Sequence, residues 1–178
     1  MKKYLSVIPL FFLLCFVVSC QDKAATAELE KYKAQASVEE QNKALAMRSL
    51  DATQKGDVAA LREIYSPGYI GHFRGGTLTL DGLVENTKQT MAMFSDIVFI
   101  YEDVVAKGDK VIVRYIAKGT HTGEFAGMSA TGKKIEITGI SVSRVENGKI
   151  VEDWDNSDTL GIFEQVGFEL KPKEEKKK

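Results

Sequence analysis

Residues 119–167 read GTHTGEFAGMSATGKKIEITGISVSRVENGKIVEDWDNSDTLGIFEQVG. Its centre is a β-hairpin. Lys133 to Val145 and Lys149 to Asp155 carry strand-like alternation, and Asn147-Gly148 between them is a two-residue turn that accepts positive φ at both positions. Asp158 is placed to cap a short helix with Leu160, Ile162, Phe163 and Val166, which Gly167 stops. Ahead of the hairpin, Thr122 to Gly132 form a glycine- and alanine-rich loop around Phe125 and Met128. The stretch also holds His121, one of two histidines, the single tryptophan Trp154, and the acidic run Glu152 to Asp158.

Working outward, Val111 to Lys118 is a second long strand. Lys107-Gly108-Asp109 joins it to a strand through Ile97, Phe99 and Tyr101. Upstream the period changes from two to 3.6. Leu83, Val84, Thr87, Met91 and Phe94 line one side of a helix starting near Asp81. Tyr69 to Phe73 is a short strand after the Pro67-Gly68 turn, followed by a loop at Arg74-Gly75-Gly76. Leu61, Ile64 and Tyr65 form the buried side of a helix capped by Asp57. Gly56 closes the helix before it, whose apolar face is Val38, Leu45, Ala46 and Leu50. Ser37-Val38-Glu39-Glu40 fits a capping box that would begin the domain. Helices come first, then strands, so the expectation is α+β: three N-terminal helices packed on a curved antiparallel sheet, with a short closing C-terminal helix.

The ends differ from this domain. Lys2-Lys3 followed by an apolar run from Leu5 to Val18 has the layout of a secretory signal and is too short to span a bilayer comfortably. Val17-Val18-Ser19-Cys20 resembles the lipobox of bacterial lipoproteins. That resemblance implies cleavage before Cys20, acylation of its thiol, and attachment to a membrane of the bacterial cell envelope, on the periplasmic or cell-surface side. Residues 1–19 are then the signal peptide, 20–36 a tether, 37–168 the domain and 169–178 a charged tail. With Cys15 removed and Cys20 acylated, no thiol remains for a disulfide or a metal. The formal charge of −1 on 178 residues gives nucleic acid no reason to bind.

Over residues 38–167 the order of elements resembles the cone-shaped fold of the nuclear-transport-factor-2-like superfamily. Within it, Gly119-Thr120-His121-Thr122-Gly123, Gly127-Met128, Thr131-Gly132-Lys133, Gly148-Lys149-Ile150, Trp154, Asp158 and Gln165-Val166-Gly167 resemble the SnoaL-like polyketide cyclases, also called ester cyclases. The resemblance implies ring closure by intramolecular aldol chemistry without metal or cofactor. It also implies that Asp155 is the general acid/base. The histidine that assists this aspartate in the family corresponds to Ser141 here.

The candidate site follows. Alternation along the last strand puts Val151, Asp153 and Asp155 on one face and Glu152, Trp154 and Asn156 on the other. A carboxyl in an apolar cone resists ionisation and moves toward the range useful for proton transfer, which suits Asp155. Asp153 is expected at the rim of its pocket, lined also by His72 and Ser141, with Phe125 and Met128 either as a lid or as plugs of their own loop. His121 is either a second acid/base group or a ring that shapes its turn. The two histidines and the acids lie on separate segments without ligand spacing, so no metal is expected. Two functions stand at this point. One is a lipid-anchored domain that binds a small apolar ligand or a partner, with the outer sheet face as a surface for a homodimer. The other is a cofactor-free acid/base enzyme, of cyclase, isomerase or hydrolase type, using Asp155. Ser141 and the envelope location tilt the balance toward binding, and Asp155 tilts it back.

Overall fold

The computed structural model describes residues 7–73, 75–169 and 171, and side chains from residue 23 onward. The chain divides into two compact units, Met1–Val38 and Glu39–Lys178. The part of the expected signal segment before Val7, the side chains up to residue 22, including Cys20, and most of the charged tail lie outside the described residues. Among the described residues no helix is long and apolar enough to cross a membrane.

Helix α1 runs without a break over Val7–Lys55. The expected helix start at Ser37 is therefore a correction: the capping box lies inside the helix. The reason is local. Residues 23–36 are rich in Ala, Glu, Lys and Gln, and neither Gly nor Pro interrupts them, so nothing stops propagation into the Ser37 segment. The helix ends where Gly56 takes φ +62°, a conformation glycine adopts without a Cβ penalty. Asp57 then accepts a bond from the Ala60 amide and opens α2, Val58–Ile64. Thr79 caps α3, Leu80–Met93, and Asp158 caps α4, Thr159–Val166. Gly167 closes α4 in the left-handed conformation.

The strands are β1 Tyr65–Phe73, β2 Gly76–Leu78, β3 Phe94–Lys107, β4 Lys110–His121, β5 Lys134–Glu146 and β6 Lys149–Ser157. They form one sheet in the order β2-β1-β6-β5-β4-β3. From β3 to β6 it is an antiparallel meander, and β1 returns parallel to β6. Two local readings change. Pro67-Gly68 is an irregularity within β1, between paired Tyr65 and Ile70, rather than a turn before it; proline is tolerated where a ladder is interrupted. The Gly75-Gly76 segment leads into the short strand β2 instead of staying a loop.

The helices cover one face of the sheet. Ala46 and Ala52 of α1, Leu61 and Ile64 of α2, and Leu80, Leu83 and Val84 of α3 bury against Tyr65, Tyr69, Val111, Val113, Tyr115, Val145 and Ile150. A smaller cluster of Phe94, Ile135 and Val166 closes the other end of the same face. α1 also guards the open edge of β3. The Phe99 amide donates to Gln54 Oε1 at 3.0 Å, Asn42 donates to the Gly108 carbonyl at 3.1 Å, and the Tyr101 phenol donates to Asp51. Covering an edge strand this way removes a template for unwanted pairing.

Candidate active site

The strands set which residues meet. On the inner face β4 presents Val111, Val113 and Tyr115, and β5 presents Ile137, Gly139, Ser141 and Ser143. β6 carries a bulge at Val151, because Val145 pairs with Ile150 while Arg144 pairs with Glu152. Plain alternation would place Val151 inward. The bulge instead buries Ile150 completely and restarts the alternation, so that Asp153 and Asp155 face the helices. Ser141 lies directly across from Asp155, and Ser143 across from Asp153.

Each carboxyl is held by a tyrosine, and each tyrosine needs a glycine. The Tyr115 phenol donates to Asp155 Oδ2 at 2.9 Å. Its ring lies over Gly139, where a Cβ would come within 2.3 Å of Cζ. The Tyr69 phenol donates to Asp153 Oδ2 at 3.3 Å. Its hydroxyl lies over Gly71, where a Cβ would also come within 2.3 Å. Gly139 and Gly71 are thus clearances cut into two strands for two phenols.

The two acids differ in depth. Asp155 is half-buried; burial raises its pKa, while bonds from Tyr115 and Ser157 pull it back down. Asp153 is only 5% exposed. This differs from the expected rim position: Asp153 lies behind Asp155, in the core beside Tyr65 and Tyr69. Burial pushes it up to about 6, against the opposing pull of Ser143, Tyr65 and Tyr69, and the Asp155 charge adds to the rise. Its Oδ1 is buried and meets no hydrogen-bond donor of proper geometry. Burial, followed by the Asp153 charge, raises Tyr69; burial and then the Asp155 charge raise Tyr115. Both phenols therefore remain protonated donors.

The other expected site residues lie elsewhere. His121 is fully buried at the far end of β4, six residues beyond Tyr115, or about 20 Å along the strand. Its Nδ1 lies 2.9 Å from the Thr131 hydroxyl, and its Nε2 has no partner among the described residues. Phe125 and Met128 bridge each other and pack on the Phe94–Val166 cluster, with Phe125 tilted against Phe163 at 4.9 Å. They plug their own loop around His121 rather than cover Asp155. His72 is on the opposite face of the sheet. It stacks on Trp154 at 5.3 Å and lies 2.9 Å from Glu152 Oε1. Alternation explains this, since Tyr69 and Gly71 of β1 face inward and His72 cannot join them. The expected pocket of His72, Ser141, Asp153, Phe125 and Met128 is therefore not one place: only Ser141 and Asp153 accompany Asp155. Among the described residues no cluster of His, Cys, Asp and Glu could hold a metal ion.

Ser141 was singled out from the sequence, whereas Tyr69, Tyr115, Ser143, Ser157 and Gly71 were not. The available signal was spacing: Tyr69-x-Gly71 on one strand, and Tyr115 and Gly139 at the same level of two adjacent ones.

This arrangement can be set beside known proteins. The family model described as SnoaL-like polyketide cyclase matches residues 44–166. The chain belongs to that family. IdmH of Streptomyces antibioticus, for which a polyketide-cyclase role has been proposed, is 31% identical to this SnoaL-like chain; the match covers 71% of this chain and 99% of IdmH, with a TM-score of 0.65. TsrD of Streptomyces laurentii is 26% identical over 75% of this chain and 96% of its own, with a TM-score of 0.64. AclR of Streptomyces galilaeus, proposed to be a hydroxylase, shares the fold at 23% identity and a TM-score of 0.67, covering 72% of this chain and 97% of its own. A search of curated proteins finds no match. The SnoaL-like domain has the α+β cone of the nuclear-transport-factor-2-like proteins. That cone carries different chemistries, so the function must be argued from the site.

Proposed function

We propose that this SnoaL-like domain binds a small, mostly apolar carbonyl compound over the strip formed by Gly139, Ser141, Asp155 and Ser157, and moves a proton on it with Asp155 as acid/base. No cofactor takes part. The observation that carries this reading is the half-buried Asp155 carboxyl, raised by desolvation and oriented by the Tyr115 phenol at 2.9 Å. A general base works best when its pKa approaches the working pH, and partial burial supplies that rise without closing the carboxyl off. Tyr115 stays protonated and fixes one carboxylate oxygen. The Gly139 clearance brings that phenol into place.

In the family an aspartate at the Asp155 position does this work with a histidine where Ser141 stands. Ser141 cannot take up a proton near neutrality, so Asp155 acts here without that partner. Ser141 also favours a second reading, in which the domain binds its carbonyl ligand without turning it over. The resemblance of residues 1–20 to a lipoprotein signal supports attachment to the bacterial cell envelope through acylated Cys20, and exposed Ile70, Ile112 and Ile140 on the outer sheet face favour a homodimer formed there.

The test uses ligands that co-purify with the protein from its native membranes, identified by mass spectrometry. Incubated in heavy water, the wild type should introduce deuterium next to the ligand carbonyl, and Asp155→Asn should lower that rate by about 10²–10⁴-fold. Equal exchange in both proteins removes Asp155 from the chemistry. A ligand that binds but exchanges with neither establishes the second reading.

A further inference from the structure

Asp153 has no part in the reaction as described, yet it is a carboxyl held in the core, 5% exposed. It is two residues from Asp155 on the same face of β6, about 7 Å along the strand. One oxygen accepts from Tyr69; the other is buried and unpartnered. A carboxyl kept only for structure would have both oxygens satisfied or would be replaced by an apolar side chain.

We propose that Asp153 is a positioning residue for Asp155: the two carboxyls titrate as one coupled unit, and loss of the proton on the buried Asp153 strengthens Asp155 as a base. The inference rests on the proton-transfer reading above and names the group that tunes it.

The surroundings support the coupling. From β1, Tyr65 and Tyr69 face Asp153. From β5, Ser143 faces it, and from α1, Ser49 reaches it through Tyr65. From β4, Tyr115 faces Asp155. No cation acts on either carboxyl among the described residues. Burial, neutral donors and the other carboxyl then set the order of ionisation. Two like charges in a poorly solvated site cannot both ionise independently. Asp155, nearer to solvent, ionises first, and Asp153 follows as the pH rises through about 6. Above that point a second negative charge stands behind Asp155 and raises its proton affinity. By reciprocity, each acid must shift the other by the same amount.

The experiment follows the carboxyl carbons of the two residues by NMR in the full chain labelled with [13C]aspartate, across a pH titration. The wild-type Asp155 signal should change in two steps, the upper one coinciding with the Asp153 transition. In Asp153→Asn the Asp155 signal should lose its upper step. In Asp155→Asn the Asp153 transition should move to lower pH, and this arm decides the matter if D153N does not fold. An Asp155 curve identical in wild type and D153N overturns the proposal, as does an Asp153 transition unmoved in D155N. A purely structural Asp153 would alter stability and leave both curves in place. The titration needs no turnover, so the two readings fail separately. Coupling present with no proton exchange on any ligand removes the catalytic reading alone. Exchange lost in D155N, with titrations independent, removes the tuning role alone.

Discussion

Gly139→Ala adds one methyl group at the point where the site is tightest. Gly139 has ordinary strand backbone, so alanine meets no conformational barrier there and the effect is steric. The new Cβ would stand 2.3 Å from Cζ and 2.4 Å from the hydroxyl of Tyr115. The ring cannot yield freely: it is 4% exposed and packed edge-on to Phe99 at 5.3 Å. Overfilling a packed core costs about 1–3 kcal/mol. Swinging the phenol away also breaks its bond to Asp155, and a hydrogen bond to a charged group contributes about 1.5–3 kcal/mol. The expected destabilisation is about 2.5–6 kcal/mol, a fall in Tm of roughly 5–24 °C for a domain of this size. Because the Tyr115 bond lowers the Asp155 pKa, its loss should move the Asp155 titration to higher pH. Thermal and denaturant unfolding of wild type, G139A, Y115A and the double variant measure the coupling. In the Y115A background the methyl group has room and should cost little. Gly68→Ala, with nothing within 4 Å of its Cβ, is the control and should stay within about 0.5 kcal/mol. A G139A protein as stable as wild type, or one equally impaired with and without Tyr115, would refute the clearance argument.

Three further outcomes follow from the same structure. Asp153 binds its proton more tightly folded, at about 6, than in the unfolded chain, near 3.8. Its contribution is therefore full below pH 4 and is lost as the pH rises through 6. Denaturant unfolding of wild type should lose about 3 kcal/mol relative to D153N between pH 3 and pH 8, and parallel pH profiles would contradict the burial of a titrating acid. His72→Ala lies on the opposite sheet face and should leave ligand affinity and deuterium exchange at wild-type values; a loss of either by isothermal titration or mass spectrometry would place His72 in the site after all. Cys20→Ser should release the protein from the membrane fraction on cell fractionation, and unchanged retention would dispose of the lipid anchor.

The fold was legible because its punctuation is chemical. Asn147-Gly148, Asp158 and Gly167, Gly56 and Asp57 each name a turn or cap through one residue's conformational need. The order of helices and strands followed from them. Ser37 misled because a capping box is permissive: the same four residues sit comfortably inside a helix when helix formers precede them. The site was less legible. Alternation placed Asp153 and Asp155 correctly together, but only register shows that Ser141 and Ser143 stand opposite them. Depth was hidden as well. Asp153 looked like a rim acid in an acidic run, and only the bulge at Val151 and the Tyr65–Tyr69 pair reveal it as a core residue. His72 and His121 drew attention as titratable types, yet one is stacked outside on Trp154 and the other is sealed in its own apolar cluster.

The polar strip between the two apolar clusters is itself evidence of purpose. An interior built only for stability would continue Val113 and Ile150 with more aliphatic side chains, since buried acids without cations oppose folding as soon as they ionise. This face instead carries Asp153, Asp155, Ser141, Ser143 and Ser157, with two glycines hollowed beneath two phenols. The phenols remove part of the cost and leave Asp153 Oδ1 unsatisfied. A network half satisfied in the core is less stable than none. Its retention is understandable if the state that matters is one with a ligand above Asp155, in which a carboxyl reluctant to ionise accepts a proton with little reorganisation. The stability lost as Asp153 ionises comes mainly from its burial, and the smaller part that comes from the Asp155 charge is the part that raises the proton affinity of Asp155. Both effects should vanish together in D153N.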